Sequence, residues 1–172
     1  MAVPLDTPSN TGDMFLMVKG SKAGVIKGES QDQNHKGEID VLSWSWGMQA
    51  RSTLGGGSAT GKAAMQDLKI MKRIDSASTA LMQSLRTNEP IQKAVLTLRK
   101  AGKSQLEFLK ITIERGRVVS LTIGGGDEQG GHGVVENVTF SFNQITVEYT
   151  PQGADGQAMG SMEFHDQFAD AQ

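Results

Sequence analysis

Apolar side chains recur at every second position through most of this chain, and that alternation constrains its fold more than any other feature. It runs through MFLMVKG and GVIKGE, through EIDVLSWSWGMQ at 38–49 and MQDLKIMKRID at 65–75. It returns in IQKAVLTLRKAG, SQLEFLKITIERG, RVVSLTIGGG and VVENVTFSFNQITVEYT. A period of two belongs to a strand, whose side chains point alternately to its two faces. The period changes once. In SASTALMQSLRTNEP, Ala77, Leu81 and Leu85 stand four apart, serine and aspartate offer caps, and Pro90 follows the end, which predicts a helix over 78–87. The three strands after it are joined by short turns that suit antiparallel hairpins. In the last long stretch the apolar phase runs Val138, Phe140, Phe142 and then slips to Ile145, Val147 and Tyr149, as a bulge at Asn143 and Gln144 would produce. Roughly eight strands and one helix, without repeats or breaks in composition, predict a mainly β fold: a single rolled β-barrel or two-sheet β-sandwich with one short α-helix embedded in it. The 172 residues read as one domain, a size that buries roughly 70% of the unfolded surface. Residues 1–13 read as a loose lead-in, and 151–172 as a tail whose structure the pattern leaves open.

Both tryptophans fall two residues apart in EIDVLSWSWGMQ. As one strand, this stretch puts Leu42, Trp44, Trp46 and Met48 on one side, and Ile39, Val41, Ser43, Ser45 and Gly47 on the other. The bulky side is expected to pack the barrel together with Phe140 and Phe142, since barrels of this size are filled by their own side chains. The small side then looks outward, to meet either water or something specific.

Several function classes lose support from composition. The chain has no cysteine, which excludes disulfides, iron–sulfur clusters and cysteine nucleophiles. Its formal net charge is -2, so the basic footprint of a general nucleic-acid binder is missing. The run KIMKR divides Lys69 and Arg73 from Lys72 across a strand and reads as a solvated or interface surface. MAVPLDTPSNTGD lacks the charged start and apolar stretch of a secretory signal, and no segment has the length to span a bilayer. Synthesis in the cytoplasm is therefore expected, with any export by a route that needs no cleaved signal.

Catalytic and metal motifs fail on inspection. GGSATGKA matches phosphate-loop spacing at Gly56, Gly61 and Lys62, but Ala63 stands where a hydroxyl should hold magnesium, and a strand follows where the motif needs a helix. His35, His132 and His165 lack ligand spacing. Glu107 and Glu114 fall in alternating strands, and GGGDEQGGHG, a hairpin tip, lacks calcium-loop spacing. No cofactor, metal or catalytic residue is expected, and the chain is not expected to be an enzyme.

Several stretches taken together resemble the haemolysin-coregulated protein family, Hcp, which builds the tube of bacterial type VI secretion systems. They are KGES at 27–30, EIDVLSWSWGM, MQDLKIMKRID leading into its helix, LTLRKAG at 96–102, and ENVTFSFNQITVEYTPQ followed by ADG. The resemblance implies a homohexameric ring with a wide channel, stacked head to tail into a tube inside a contractile sheath and carried out of the cell on firing. Implied partners are further copies of the chain, effector proteins in the channel, and the sheath, spike and baseplate of the apparatus, without nucleic acid or membrane insertion. On this reading Ser43 and Ser45 line the channel. The glycine-rich segment Arg51, Ser52, Thr53, Leu54, Gly55, Gly56, Gly57 and Ser58 reaches a neighbouring subunit or the next ring. Two departures stand out: the lead-in to Asp13 is long, and the tail after Ala154 lacks the tryptophan-containing final strand expected of the family. No extra enzyme domain is expected after it. The alternatives are the tail-tube protein of a contractile phage, a small β-barrel nucleotide binder or enzyme, and a monomeric ligand-binding barrel.

Overall fold

The computed structural model describes residues 12–50, 63–102, 105–125 and 133–168. Within them lie β1 (Asp13–Gly20), β2 (Gly24–Ile26), β3 (Ile39–Asp40), β4 (Ser43–Ser45), β5 (Met48–Gln49), β6 (Ala64–Met65) and β7 (Leu68–Arg73). There follow α1 (Ser78–Arg86), β8 (Pro90–Arg99), β9 (Glu107–Gly124), β10 (Val135–Ser141), β11 (Gln144–Tyr149) and β12 (Met162–Gln167). All but β5 and β6 belong to one antiparallel sheet, whose main path is β2-β1-β8-β9-β10-β7-β4. The fold is mainly β with one short helix, as the alternation predicts.

The stretch carrying the tryptophans closes the roll. β3 pairs with β1 and β4 pairs with β7, at opposite ends of the β1-β8-β9-β10-β7 path. Between them the Val41 N–H donates to the Met14 carbonyl at 3.0 Å and the Leu42 N–H to the Met71 carbonyl at 2.8 Å. The chain thus steps from one edge of the sheet to the other, and its side-chain phase changes at that step. This corrects the expectation of one continuous strand. Ile39 and Val41, assigned above to the outward side, are buried in the core, whereas Leu42, assigned to the core, is only half-buried.

Strand β9 is a second correction. SQLEFLKITIERG and RVVSLTIGGG are not a hairpin but one strand of 18 residues. Arg115 takes a left-handed φ of 52° without reversing the chain, so Arg115 and Gly116 form a kink. The first half of β9 pairs with β11 and the second with β10, while β8 pairs with the other side of the first half, as far as Arg117. VVENVTFSFNQITVEYT correspondingly breaks into two strands at Phe142 and Asn143, opposite the kink. The slip read as a bulge is this break. The final residues also form a strand: β12 pairs with β11 along its whole length, from Gln167 opposite Gln144 to Met162 opposite Tyr149.

Both arms of the sheet share one core, which includes Leu16, Leu68, Ile70, Leu96, Ile111, Ile113, Phe140 and Ile145, each 1% exposed or less. Helix α1 packs against β9 and buries Ser78, Leu81 and Ser84. It ends at Thr87 and Asn88, the latter with φ 54°, a conformation asparagine tolerates better than most residues. Glu89 follows, and its carboxylate accepts the Lys22 N–H at 2.5 Å, the Ala23 N–H at 2.8 Å and the Ser84 hydroxyl at 3.3 Å. The Ala23 and Lys22 amides hold this carboxyl below the usual glutamate range, and it ties the β1–β2 turn to the end of the helix.

Lys72 is the third correction. Expected on a solvated or interface surface, it is 0% exposed, as is Glu136. Its ammonium donates to Glu136 Oε2 at 2.7 Å, Ser78 Oγ at 3.0 Å and the Arg73 carbonyl at 3.0 Å, and lies 2.8 Å from Asp75 Oδ1. The Ser78 hydroxyl also donates to Glu136 Oε2 at 2.7 Å. This cluster joins β7, β10 and the first turn of α1.

Candidate functional site

In β7 and β10 the two phases of the pattern divide cleanly. Leu68, Ile70 and Lys72 face inward beside Phe140, Val138 and Glu136, so Lys69, Met71 and Arg73 face outward beside Thr139, Asn137 and Val135. Pairing with β4 and the second half of β9 extends the outer face into rows. One row runs Ser45, Lys69, Thr139, Ser120, and the next Ser43, Met71, Asn137, Thr122. Residues directly opposite in an antiparallel ladder share a face. The four strands therefore present one wall rich in hydroxyl and amide groups. Ser43, Ser45, Lys69, Ser120, Thr122 and Asn137 are exposed, and Thr139 and Met71 are half-buried.

Beneath the wall lies the core. Trp44 and Trp46, between and beside the serines, are half-buried and pack against the core, as does Phe142, while Phe140 is fully buried. The alternation Ser-Trp-Ser-Trp thus places small polar groups outside and indole rings inside, one residue apart. Leu42 lies at the edge of an open cleft instead.

That cleft has a volume of about 440 Å³. Asp13, Phe15, Leu42, Leu98, Arg99 and Phe108 are among its walls. Arg99 is 4% exposed and donates from Nη2 to Asp13 Oδ2 at 2.7 Å and Asp32 Oδ2 at 2.6 Å, with its guanidinium 5.1 Å above the Phe15 ring. The hydrogen bond from Arg99 holds the Asp32 carboxyl below its usual range. On the same ring His35 stacks at 4.3 Å, with Nδ1 2.7 Å from Glu38 Oε2 and Nε2 2.6 Å from Glu107 Oε1. These contacts clasp the segment from Lys27 to Glu38 over β1 and β8. Arg99, His35 and their carboxylates are engaged with one another, so the geometry is that of a structural clasp and not of an acid, base and nucleophile converging on a substrate.

His165 is exposed and bonds the Thr146 hydroxyl at 2.9 Å, far from the clasp in the sheet order. Among the described residues no group of three or more His, Asp or Glu side chains is placed to hold a metal ion, and no helix is long and apolar enough to cross a membrane. His132 and Arg51, Ser52, Thr53, Leu54, Gly55, Gly56, Gly57 and Ser58 lie outside the described residues. The strands flanking that last segment, β5 and β6, pair with each other, Met48 opposite Met65 and Gln49 opposite Ala64.

Sequence reading reached Ser43 and Ser45 but missed the rest of the wall. Lys69, Asn137, Thr139, Ser120 and Thr122 each stand in the polar phase of an alternating strand, a signal that gives a face without its neighbours. The strand order supplies the neighbours.

Comparison with known proteins bears on the whole of this wall. The family described as type VI secretion system effector, Hcp, matches residues 15–149, which take in every strand of it. The protein hcp1 of Pseudomonas aeruginosa is 43% identical over 151 residues, 86% of this chain and 89% of that protein. The crystal structure of Hcp1 from Salmonella typhimurium superposes with a TM-score of 0.73 at 33% identity, covering 91% of this chain and 94% of its own. That of a type VI secretion system effector from Yersinia pestis superposes with a TM-score of 0.70 at 28% identity, covering 90% and 99%.

Proposed function

The chain belongs to the Hcp family of type VI secretion proteins, and from that premise we propose that it is a structural tube subunit: six copies close a ring, rings stack, and the channel carries effector proteins that leave the cell with the tube. The observation that carries this reading is the wall formed by β4, β7, β10 and β9. A channel that holds folded cargo and lets it go requires a surface that is smooth, wettable and fixed. Short hydroxyl and amide side chains offer hydrogen bonds with little rotamer freedom to lose, and the half-buried indoles and the core beneath support them.

Ring closure is supported by the sheet edges. Among the described residues β12 pairs only with β11, and β4 only with β7, leaving backbone groups that an adjoining subunit would satisfy without open-ended growth. Beside β12 the side chains of Met159, Met162 and Phe164 are 58%, 65% and 40% exposed, apolar surface of a kind that assembly covers. Contact with a neighbouring subunit or the next ring is assigned to residues 51–58, which lie outside the described residues. Sheath, spike and baseplate proteins are the partners of the assembled tube, and its work is structural, not catalytic.

Ser45→Phe tests the wall directly. It places a bulky uncharged side chain in every copy at a position that is exposed and outside the core, so rings form as before while co-purification of effector with rings falls about tenfold, the effect of losing about one modest hydrogen bond to the cargo. Unchanged retention in intact rings would mean that Ser45 faces bulk solvent.

A further inference from the structure

The wall is not neutral. Its strand positions carry Lys69 and Arg73 on β7 and Arg117 on β9, opposite Ser141, and none carries a carboxylate. Arg117 donates to the Asn88 carbonyl at 2.5 Å. Lys69 and Arg73 are exposed, and neither lies within ion-pair distance of a carboxylate among the described residues. The outward face of the other arm is built differently: Glu163, Glu148 and Lys110 form one row, Gln167, Gln144, Glu114 and Lys93 form another, and His165, Thr146, Thr112 and Val95 lie between them. Acids and bases are interleaved there. A chain of net charge -2 thus sets Lys69 and Arg73 on one face without an ion-pair partner, with Asp67 just before β7 and Asp40 acting on Arg73 as the carboxylates near it, and interleaves acids and bases on the other.

On the reading that the wall lines a channel, we propose that it selects cargo by charge, and that its partners are folded proteins presenting an acidic surface to Lys69 and Arg73. Unpaired like charges repeated around a ring create a field that attracts an oppositely charged surface and disfavours a basic one. The cations stand among serine, threonine and asparagine, groups that hydrogen-bond a protein surface. The wall carries no aromatic side chain at its strand positions on which bases could stack. Protein cargo is therefore favoured over nucleic acid.

The test uses assembled rings of the full chain and one small folded domain prepared in acidic, neutral and basic charge variants, with a single-stranded oligonucleotide as a further probe. Co-elution with rings is measured at low and high salt. The expected result is retention of the acidic variant alone, falling about tenfold or more in Lys69→Glu/Arg73→Glu rings and at high salt, because exposed charges are screened. Equal retention of all three variants, or retention unaffected by the double substitution, overturns charge selection while leaving the tube intact. Preferential retention of the oligonucleotide overturns the choice of protein as partner. Failure of the wild-type chain to form rings, read by light scattering on the same samples, defeats the channel reading itself and the inference with it.

Discussion

Lys72→Met is expected to destabilise the protein by about 3–5 kcal/mol, the range for breaking a buried ion pair by removing one member. For a chain of this size that corresponds to a fall in Tm of about 10 °C. The side chain is fully buried, and without its ammonium Glu136 keeps a carboxylate in the core with only the Ser78 hydroxyl as donor. Asp75 loses its partner at the same time. Methionine fills similar volume, so the loss is electrostatic and not a cavity. The second arm of the experiment decides this: Lys72→Met/Glu136→Leu removes both charges and recovers more than half of the loss, since a buried pair replaced by apolar groups is often neutral. Thermal unfolding of the wild type and both variants provides the measurement. A single substitution worth under about 1 kcal/mol would mean that the cluster is reached by water.

The second large effect is at Gly116. A Cβ there falls against the Ser141 carbonyl oxygen, with the Phe142 side chain 3.6 Å away. The obstructing atom is backbone on the paired strand, so neither side gives way cheaply. Gly116→Ala is expected to destabilise by about 3 kcal/mol, within the upper range of overpacking, because it opens the kink at which β9 passes from β11 to β10. Gly124→Ala, on the same strand, meets nothing within 4 Å and serves as the control, with a change inside about 0.5 kcal/mol. Urea unfolding of both variants measures the difference. Equal midpoints would show that the sheet shifts freely at the kink.

The comparison of these two sites shows what was legible in the sequence. The period of two marked the chain as mainly β, because burial on one face imposes it wherever a strand lies on a core, and its one interruption marked the helix, while β12 and the continuity of β9 escaped it. By phase it put Ser43 and Ser45 on one face and Phe140 in the core; in the structure the two serines are exposed and Phe140 is buried. It could not see that Val41 and Leu42 hand the chain from β1 to β7, since the step depends on hydrogen bonds to Met14 and Met71, distant in sequence. Nor could it tell the turn-like pair Arg115–Gly116 from a hairpin. The same left-handed backbone serves a reversal or a kink, and only the long ladder with β8 distinguishes them. Lys72 was misread for a related reason. Its phase was inward, but a lysine reads as solvated until the carboxylate that meets it, 64 residues away, is found. The wall itself required strand order: Lys69, Thr139 and Ser120 are neighbours only because β10 lies between β7 and β9.

On the proposed function, copies of this chain close into rings around a channel. Negative-stain electron microscopy of the purified protein tests it most directly. Uniform six-fold rings with an open centre are the predicted result. Featureless monomers at concentrations where the protein is folded would contradict it, leaving the fold but removing the channel.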